Sequence, residues 1–138
     1  MFSIFKKSVR KEPNYVEQLA QINFKGGTKY AKNETNNVYL DIEELGGFPY
    51  IKTIIIGDFS VKIKRLGCTI TFKFGKDSLT LSSDNTTIES NQIQKSSISY
   101  TEIDFELNDD EVKKIKTQKV NSISYTFKNK TITFKPIV

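Results

Sequence analysis

Apolar and polar residues alternate along residues 51–82, which read IKTIIIGDFSVKIKRLGCTITFKFGKDSLTLS. This period of two is typical of β-strands that bury one face. Three dipeptides could form the tight turns of a four-stranded antiparallel meander: Gly57-Asp58, Leu66-Gly67 and Lys76-Asp77. The resulting register pairs apolar residues across each turn: Ile56 with Phe59, Ile63 with Ile70, and Phe74 with Leu79. A slip of one residue would move all of these side chains to solvent, so their agreement predicts the sheet.

A further hairpin is predicted near residue 138, with its turn at Asn129-Lys130. Its register pairs two sets of apolar residues, Phe127 with Ile132 and Tyr125 with Phe134. Lysine is a poor second turn residue compared with glycine, so the pairing is better defined than the turn type.

Upstream of the meander, residues Lys29–Asn37 are polar and rich in asparagine, which predicts a loop. The alternation in Val38–Ile42 predicts a strand. A helical turn over Glu43–Leu45, closed by Gly46-Gly47, is the expected continuation.

Downstream of the meander, Ser83–Ser97 has few aliphatic residues and is expected to form a long surface loop with at most one short strand. In the next segment the alternation of apolar and polar residues shifts by one position. This shift suggests a β-bulge, one extra residue in the strand, at Thr101-Glu102. Asn108 and Glu111 have the spacing of a capping box, which predicts a helix over Asn108–Lys116.

Together these elements predict a mainly β fold, an antiparallel sandwich or a partly open barrel of about seven to nine strands with one or two short helices. Residues 13–138 are expected to form a single β-rich domain, preceded by a basic amphipathic segment over residues 1–12.

Composition narrows the class of protein. The 138 residues are 37% hydrophobic and 12% aromatic, which argues against intrinsic disorder. The net charge of +5 comes from lysine far more than from arginine, the residue best suited to reading bases and phosphates. One cysteine, with no apolar run of signal-peptide or membrane-spanning length, indicates an intracellular, cytoplasmic protein.

Few residues are suited to catalysis. Histidine is absent, which removes the commonest general base and most zinc sites. Cys68 falls on the predicted inward face and is interpreted as a core residue. Glu102, Asp104 and Glu106 are about 6.6 Å apart along one strand face, a spacing that any acidic strand produces. The sequence therefore predicts a non-enzymatic protein without a catalytic site, metal or cofactor.

Two surfaces are candidates for binding. The Phe48-Pro49-Tyr50 segment is predicted to be a loop, either an exposed aromatic patch that contacts a partner or a plug over the core. The outward positions of the meander form a predicted Lys/Thr face: Lys62, Lys64, Thr69, Thr71, Lys73 and Thr80. That face lacks the aromatic side chains on which single-stranded nucleic acid stacks.

The first residues suggest another possibility. Phe2 and Phe5, with Lys6 and Lys7 beside them, fit a short basic helix that contacts an anionic membrane surface or covers one end of the core. The favoured function is a small intracellular domain that binds another protein or a small ligand. The alternatives are a peripheral membrane module anchored by this segment and a single-stranded nucleic-acid binder that uses the Lys/Thr face.

Overall fold

The computed structural model of the protein describes residues 17, 19, 22, 24–93 and 96–137. These residues contain eleven strands: β1 (Lys29–Lys32), β2 (Asn36–Leu45), β3 (Phe48–Gly57), β4 (Lys62–Ile63), β5 (Thr69–Phe74), β6 (Asp77–Ser82), β7 (Ile88–Glu89), β8 (Asn91–Gln92), β9 (Ser99–Glu106), β10 (Ser122–Phe127) and β11 (Lys130–Pro136). A helix, α1, spans Asp109–Thr117. Glu17 and Leu19 are also helical.

Nine of these strands form one antiparallel sheet in the order β6-β5-β10-β11-β1-β2-β3-β9-β8, while β4 pairs with β7 alone. The sheet curls until its two ends approach each other. Ser83, which follows β6, forms an antiparallel bridge with Phe105 on β9. The predicted mainly β fold is therefore confirmed, and it takes the form of a partly open barrel.

Aromatic side chains fill the interior of the curled sheet. Five of them are almost completely buried: Phe72, Phe105, Tyr125, Phe127 and Phe134. The ring of Tyr125 meets that of Phe134 edge to face, with centroids 5.8 Å apart. Phe72 points inward and its neighbour Lys73 is exposed, so the predicted phase of β5 is correct.

The first two turns of the predicted meander are wrong. β3 pairs with β2 on one side and β9 on the other, so Ile56 lies opposite Asn37 and Tyr100 rather than Phe59. Gly57 is a glycine for a different reason. A Cβ at this position would lie 2.2 Å from the Thr35 carbonyl oxygen, so the residue allows the β1–β2 turn to approach.

The Leu66-Gly67 turn is also absent, because the flanking strands belong to different sheets. Ile63 pairs with Ile88 of β7, whereas Ile70 pairs with Leu81 and Tyr125. The amide of Gly67 donates instead to the carbonyl of Thr86, at 2.9 Å.

The other two predicted hairpins exist, with registers shifted by two residues. Phe72 pairs with Leu79 across the β5–β6 turn, and Tyr125 pairs with Ile132 across the β10–β11 turn. The turns are Gly75-Lys76 and Lys128-Asn129, one residue earlier than predicted. Their first residues have φ values of 66° and 52°. A shift of two leaves every side chain on its predicted face.

The predicted loop over Lys29–Asn37 is wrong, since it contains β1, a tight turn and the start of β2. The Asn33 side chain closes the turn by accepting hydrogen bonds from the amides of Thr35 and Asn36, at 3.1 and 2.8 Å. Glu43–Leu45 is likewise strand rather than a helical turn, and it continues β2 to its end.

The predicted bulge at Thr101-Glu102 is absent, because β9 pairs with β3 without a break. The apolar phase changes because the strand buries residues on both faces. Ile103 and Phe105 point into the barrel. Ile98, just before β9, packs on the outer side with Leu19, Tyr39, Ile54 and Ile56.

Helix α1 follows the predicted boundaries closely. The Asn108 side chain accepts from the Glu111 amide and the Glu111 carboxylate accepts from the Asn108 amide, both at 2.8 Å, which confirms the capping box. Ile115 is buried in the core. Lys114 forms an ion pair with Asp77, so the helix is tied to the β5–β6 turn.

Candidate functional site

The end of the β2–β3 hairpin extends beyond the rest of the sheet. Its two-residue turn has positive φ at both Gly46 (60°) and Gly47 (85°). A turn of this type has a backbone twist that matches the twist of the two strands it joins. The pairing of β3 with β9 ends at Tyr50 and Glu106. Phe48 and Pro49 therefore pair only with β2. The last rows of this hairpin project into solvent.

Two large apolar side chains stand on this projecting end. Leu45 and Phe48 face each other across the turn and are 75% and 77% exposed. The interpretation of Phe48 as a plug over the core is therefore wrong, and the predicted loop over Phe48–Tyr50 is part of β3. The Tyr50 hydroxyl donates to the Glu43 carboxylate at 2.8 Å, which holds the ring on the outer side of the sheet.

Acidic residues from a distant part of the chain border these apolar groups. The Asp84 amide donates to the Asp104 carbonyl at 2.8 Å, and the Asp104 amide donates to the Asn85 side chain at 2.9 Å. These bonds hold the segment after β6 against β9. A cleft of about 490 Å³ results, lined by Leu45, Phe48, Pro49, Tyr50, Asp84, Asp104 and Glu106. We call these seven residues the hairpin-end face.

Two carboxyl groups of this face, those of Asp104 and Glu106, lie where their charged forms are disfavoured. Burial, followed by the charges of Glu102 and Asp84, raises the pKa of Asp104 above its usual range, and Lys52 offsets part of this effect. The Asp104 Oδ1 atom is buried and has no hydrogen-bond partner among the described residues. A hydrogen bond to Asp84, with its charge, also raises the pKa of Glu106.

These properties suit the face to a cation. A positive charge that approaches these closely spaced carboxyl groups would offset their mutual repulsion. Tyr50 and Phe48 add aromatic faces, which attract cations through the ring quadrupole. Within the described residues, no three Cys, Asp or Glu side chains are grouped so as to hold a metal ion.

The lysines of the predicted Lys/Thr face do not lie together. Lys73 is on the outer side of β5, whereas Lys62 belongs to β4 in the small separate sheet, and Lys64 follows it. Threonine and serine dominate the outer side of β5, β6, β10 and β11. Their hydroxyls bond to each other across the strands: Thr71 with Thr80, Ser124 with Thr133, and Thr126 with Thr131, at 2.9–3.2 Å.

Cys68 lies next to a second cleft, bordered by Gly67, Ser83 and Lys128. The thiol is buried, as predicted, and burial raises its pKa to about 12, an effect that Ser83 partly offsets. A thiol with this pKa stays protonated at neutral pH and is a poor nucleophile. Cys68 is therefore a core residue in this fold.

The predicted membrane contacts Phe2, Phe5, Lys6 and Lys7 lie outside the described residues, as do residues 1–12 as a whole. None of the helices in the described part of the chain has the length and hydrophobicity needed to traverse a bilayer.

Sequence reasoning named the Phe48-Pro49-Tyr50 segment as a binding candidate but did not connect it with Leu45, Asp84, Asp104 or Glu106. The helical turn predicted for Leu45 is wrong; Gly46-Gly47, which is also a typical two-residue hairpin turn, is the sequence signal for the hairpin. Asp84 carries no local signal, because its position beside β9 depends on the closure of the barrel.

No protein-family model matches this sequence, and no curated protein or solved structure matches it at a significant level.

Proposed function

We propose that this protein is a non-enzymatic β domain that binds a segment of another protein at the hairpin-end face. The observation that carries the proposal is the exposure of Leu45 and Phe48, at 75% and 77%, on the projecting end of a paired hairpin. Contiguous apolar groups that remain in solvent on an ordered element are typical of interaction sites.

The chemistry around the two side chains suggests what the partner segment carries. Asp84, Asp104 and Glu106 surround the apolar groups with negative charge, although the whole chain has a net charge of +5. A partner with both apolar and cationic side chains would bury Leu45 and Phe48 while it neutralises these carboxyls.

The same charges disfavour the two alternative functions at this face. Nucleic-acid phosphates and anionic lipid headgroups would be repelled by Asp84, Asp104 and Glu106. The hairpin-end face is therefore better suited to a protein segment than to an anionic membrane.

The proposal can be tested with a short synthetic peptide of lysine and phenylalanine, and with its counterpart in which glutamate replaces each lysine. We expect the basic peptide to bind and the acidic one not to bind, measured by fluorescence anisotropy at low salt. The double variant Leu45→Ser/Phe48→Ser should weaken binding at least about tenfold, or about 1.4 kcal/mol.

Leu66 supplies a matched control, since it is 62% exposed and lies outside this face. Leu66→Ser should leave the affinity unchanged. Equal binding of the basic and acidic peptides, or an equal loss of affinity in Leu66→Ser, would show that the contact is nonspecific and would refute the proposal.

A further inference from the structure

The outer face of β2, β3 and β9 is already covered by the chain's own N-terminal region at one end. Leu19, Ile22 and Phe24 pack on Tyr39, Ile54 and Ile56. The rings of Phe24 and Tyr39 meet edge to face at 4.8 Å. The hairpin-end face lies on this same outer side, further along β3.

The uncovered end is within reach of the residues that precede Leu19. Ile54 and Phe48 are about 20 Å apart along β3, at the usual strand rise of about 3.4 Å per residue. Residues 11–16 alone can span up to about 20 Å, with Glu17 and Leu19 left in their helical conformation. Residues 2–11 can therefore reach Phe48 while Leu19 stays in place.

Residues 2–11, which read FSIFKKSVRK, combine positive charges with apolar side chains and so complement the hairpin-end face. They carry four cations and four apolar residues: Lys6, Lys7, Arg10 and Lys11, with Phe2, Ile4, Phe5 and Val9. The face offers exposed Leu45 and Phe48, and the buried Asp104 Oδ1 has no hydrogen-bond partner among the described residues. Charge and hydrophobicity are thus complementary between two parts of one chain.

We propose that residues 2–11 dock on the hairpin-end face of their own chain. The proposal rests on the proposed function for the chemistry of the site, and it adds that a partner segment must displace this internal occupant. Covalent connection favours the contact within one chain, because a short linker gives an effective concentration in the millimolar range.

A spin label on the full chain tests this contact. Ser8→Cys introduces an accessible thiol for a nitroxide, whereas the buried Cys68 thiol, with a pKa raised to about 12, is a poor target. We expect the nitroxide to broaden the amide NMR signals of Leu45, Phe48 and Glu106. Signals of Thr71 and Thr133, on the outer side of β5 and β11, should remain sharp.

Charge reversal supplies the specific control. Lys6→Glu/Lys7→Glu, made in the labelled chain, should abolish the broadening. Lys116→Glu/Lys119→Glu changes the net charge equally at exposed positions outside the face and should leave the broadening intact. Absence of broadening at the face, or broadening that survives Lys6→Glu/Lys7→Glu, would overturn the proposal.

A mixed sample distinguishes contact within a chain from contact between chains. It combines chains that carry the nitroxide but no isotope with chains that carry the isotope but no nitroxide. Broadening in the mixed sample as strong as that in the doubly labelled chain would show a contact between chains and would also overturn the proposal. The basic peptide separates the two proposals. If docking occurs, Lys6→Glu/Lys7→Glu should bind that peptide several-fold more tightly than the native chain does. Peptide binding without broadening would refute docking alone, and broadening without peptide binding to the variant would refute the proposed function alone.

Discussion

Tyr125 places a phenol at the centre of the barrel core. The residue is fully buried, and its hydroxyl has no hydrogen-bond partner among the described residues. Burial raises the pKa of Tyr125 far above its usual value, and the nearby Thr53 hydroxyl offsets this only in part. Thr53 itself donates to the Ile103 carbonyl at 2.9 Å. The hydroxyl of Tyr125 therefore loses its hydration without full compensation.

Tyr125→Phe should for this reason raise the free energy of unfolding by about 1 kcal/mol, since it removes an unsatisfied polar group and leaves the ring in place. Denaturant melts measure the change. Tyr50→Phe, at the surface, should shift stability by less than about 0.5 kcal/mol. A less stable Tyr125→Phe variant would mean that the hydroxyl has a partner in solution.

At the scale of elements, side-chain periodicity predicts which face a strand buries but not which strand lies beside it. The phases of β5, β6, β10 and β11 are correct, because each buries one face only. The pairing of β5 with β10 joins residues about fifty positions apart and has no local signal. A register slip of two residues also leaves no trace in the apolar pattern.

Two of the wrong predictions, the turn at Gly57-Asp58 and the bulge at Thr101-Glu102, arise where a strand is buried on both faces. Ile54, Ile55 and Ile56 are all buried, because Leu19, Ile22 and Phe24 cover the outer side of β3. The predicted turn at Gly57-Asp58 places Ile56, and with it Ile54 of the same phase, on the inner face. They belong to the outer one, and the matching register was a coincidence.

Helix α1 was predictable because its signals are local. Asn108→Ala removes the side chain that accepts from the Glu111 amide, so it should lower the free energy of unfolding by about 0.5–2 kcal/mol. Thermal or denaturant melts will show this loss. Lys113→Ala, exposed on the same helix, should change stability by less than about 0.5 kcal/mol. Equal effects of the two variants would argue that the cap contributes nothing.

At the scale of the whole molecule, negative charge collects on one side of a basic protein. Register places Asp41, Lys52 and Asp104 in one row and Glu43, Tyr50 and Glu106 in the next, all on the outer side of β2, β3 and β9. The raised pKa of Asp104 means that its charged form is less favourable in the folded state than in the unfolded chain.

Asp104→Asn should therefore stabilise the protein at pH 7, where the native carboxyl is ionised and its penalty is present. The gain should shrink as the pH falls through the raised pKa of Asp104, because protonation removes the same penalty from the native chain. Denaturant melts at pH 7 and pH 4 measure this difference. Glu34→Gln, exposed on the β1–β2 turn, serves as control. A gain that is equal at both pH values would contradict the assignment to Asp104 ionisation.

Pro49 limits how the projecting hairpin can associate. It lies in β3 beyond the last residue paired with β9, where the strand has a free edge. Proline has no amide hydrogen, so this edge cannot complete a ladder with an added strand. An uncapped edge beside exposed Leu45 and Phe48 would be a template for aggregation. Pro49 blocks that route at this edge, so the partner segment that we propose would be recognised through side chains rather than by strand addition.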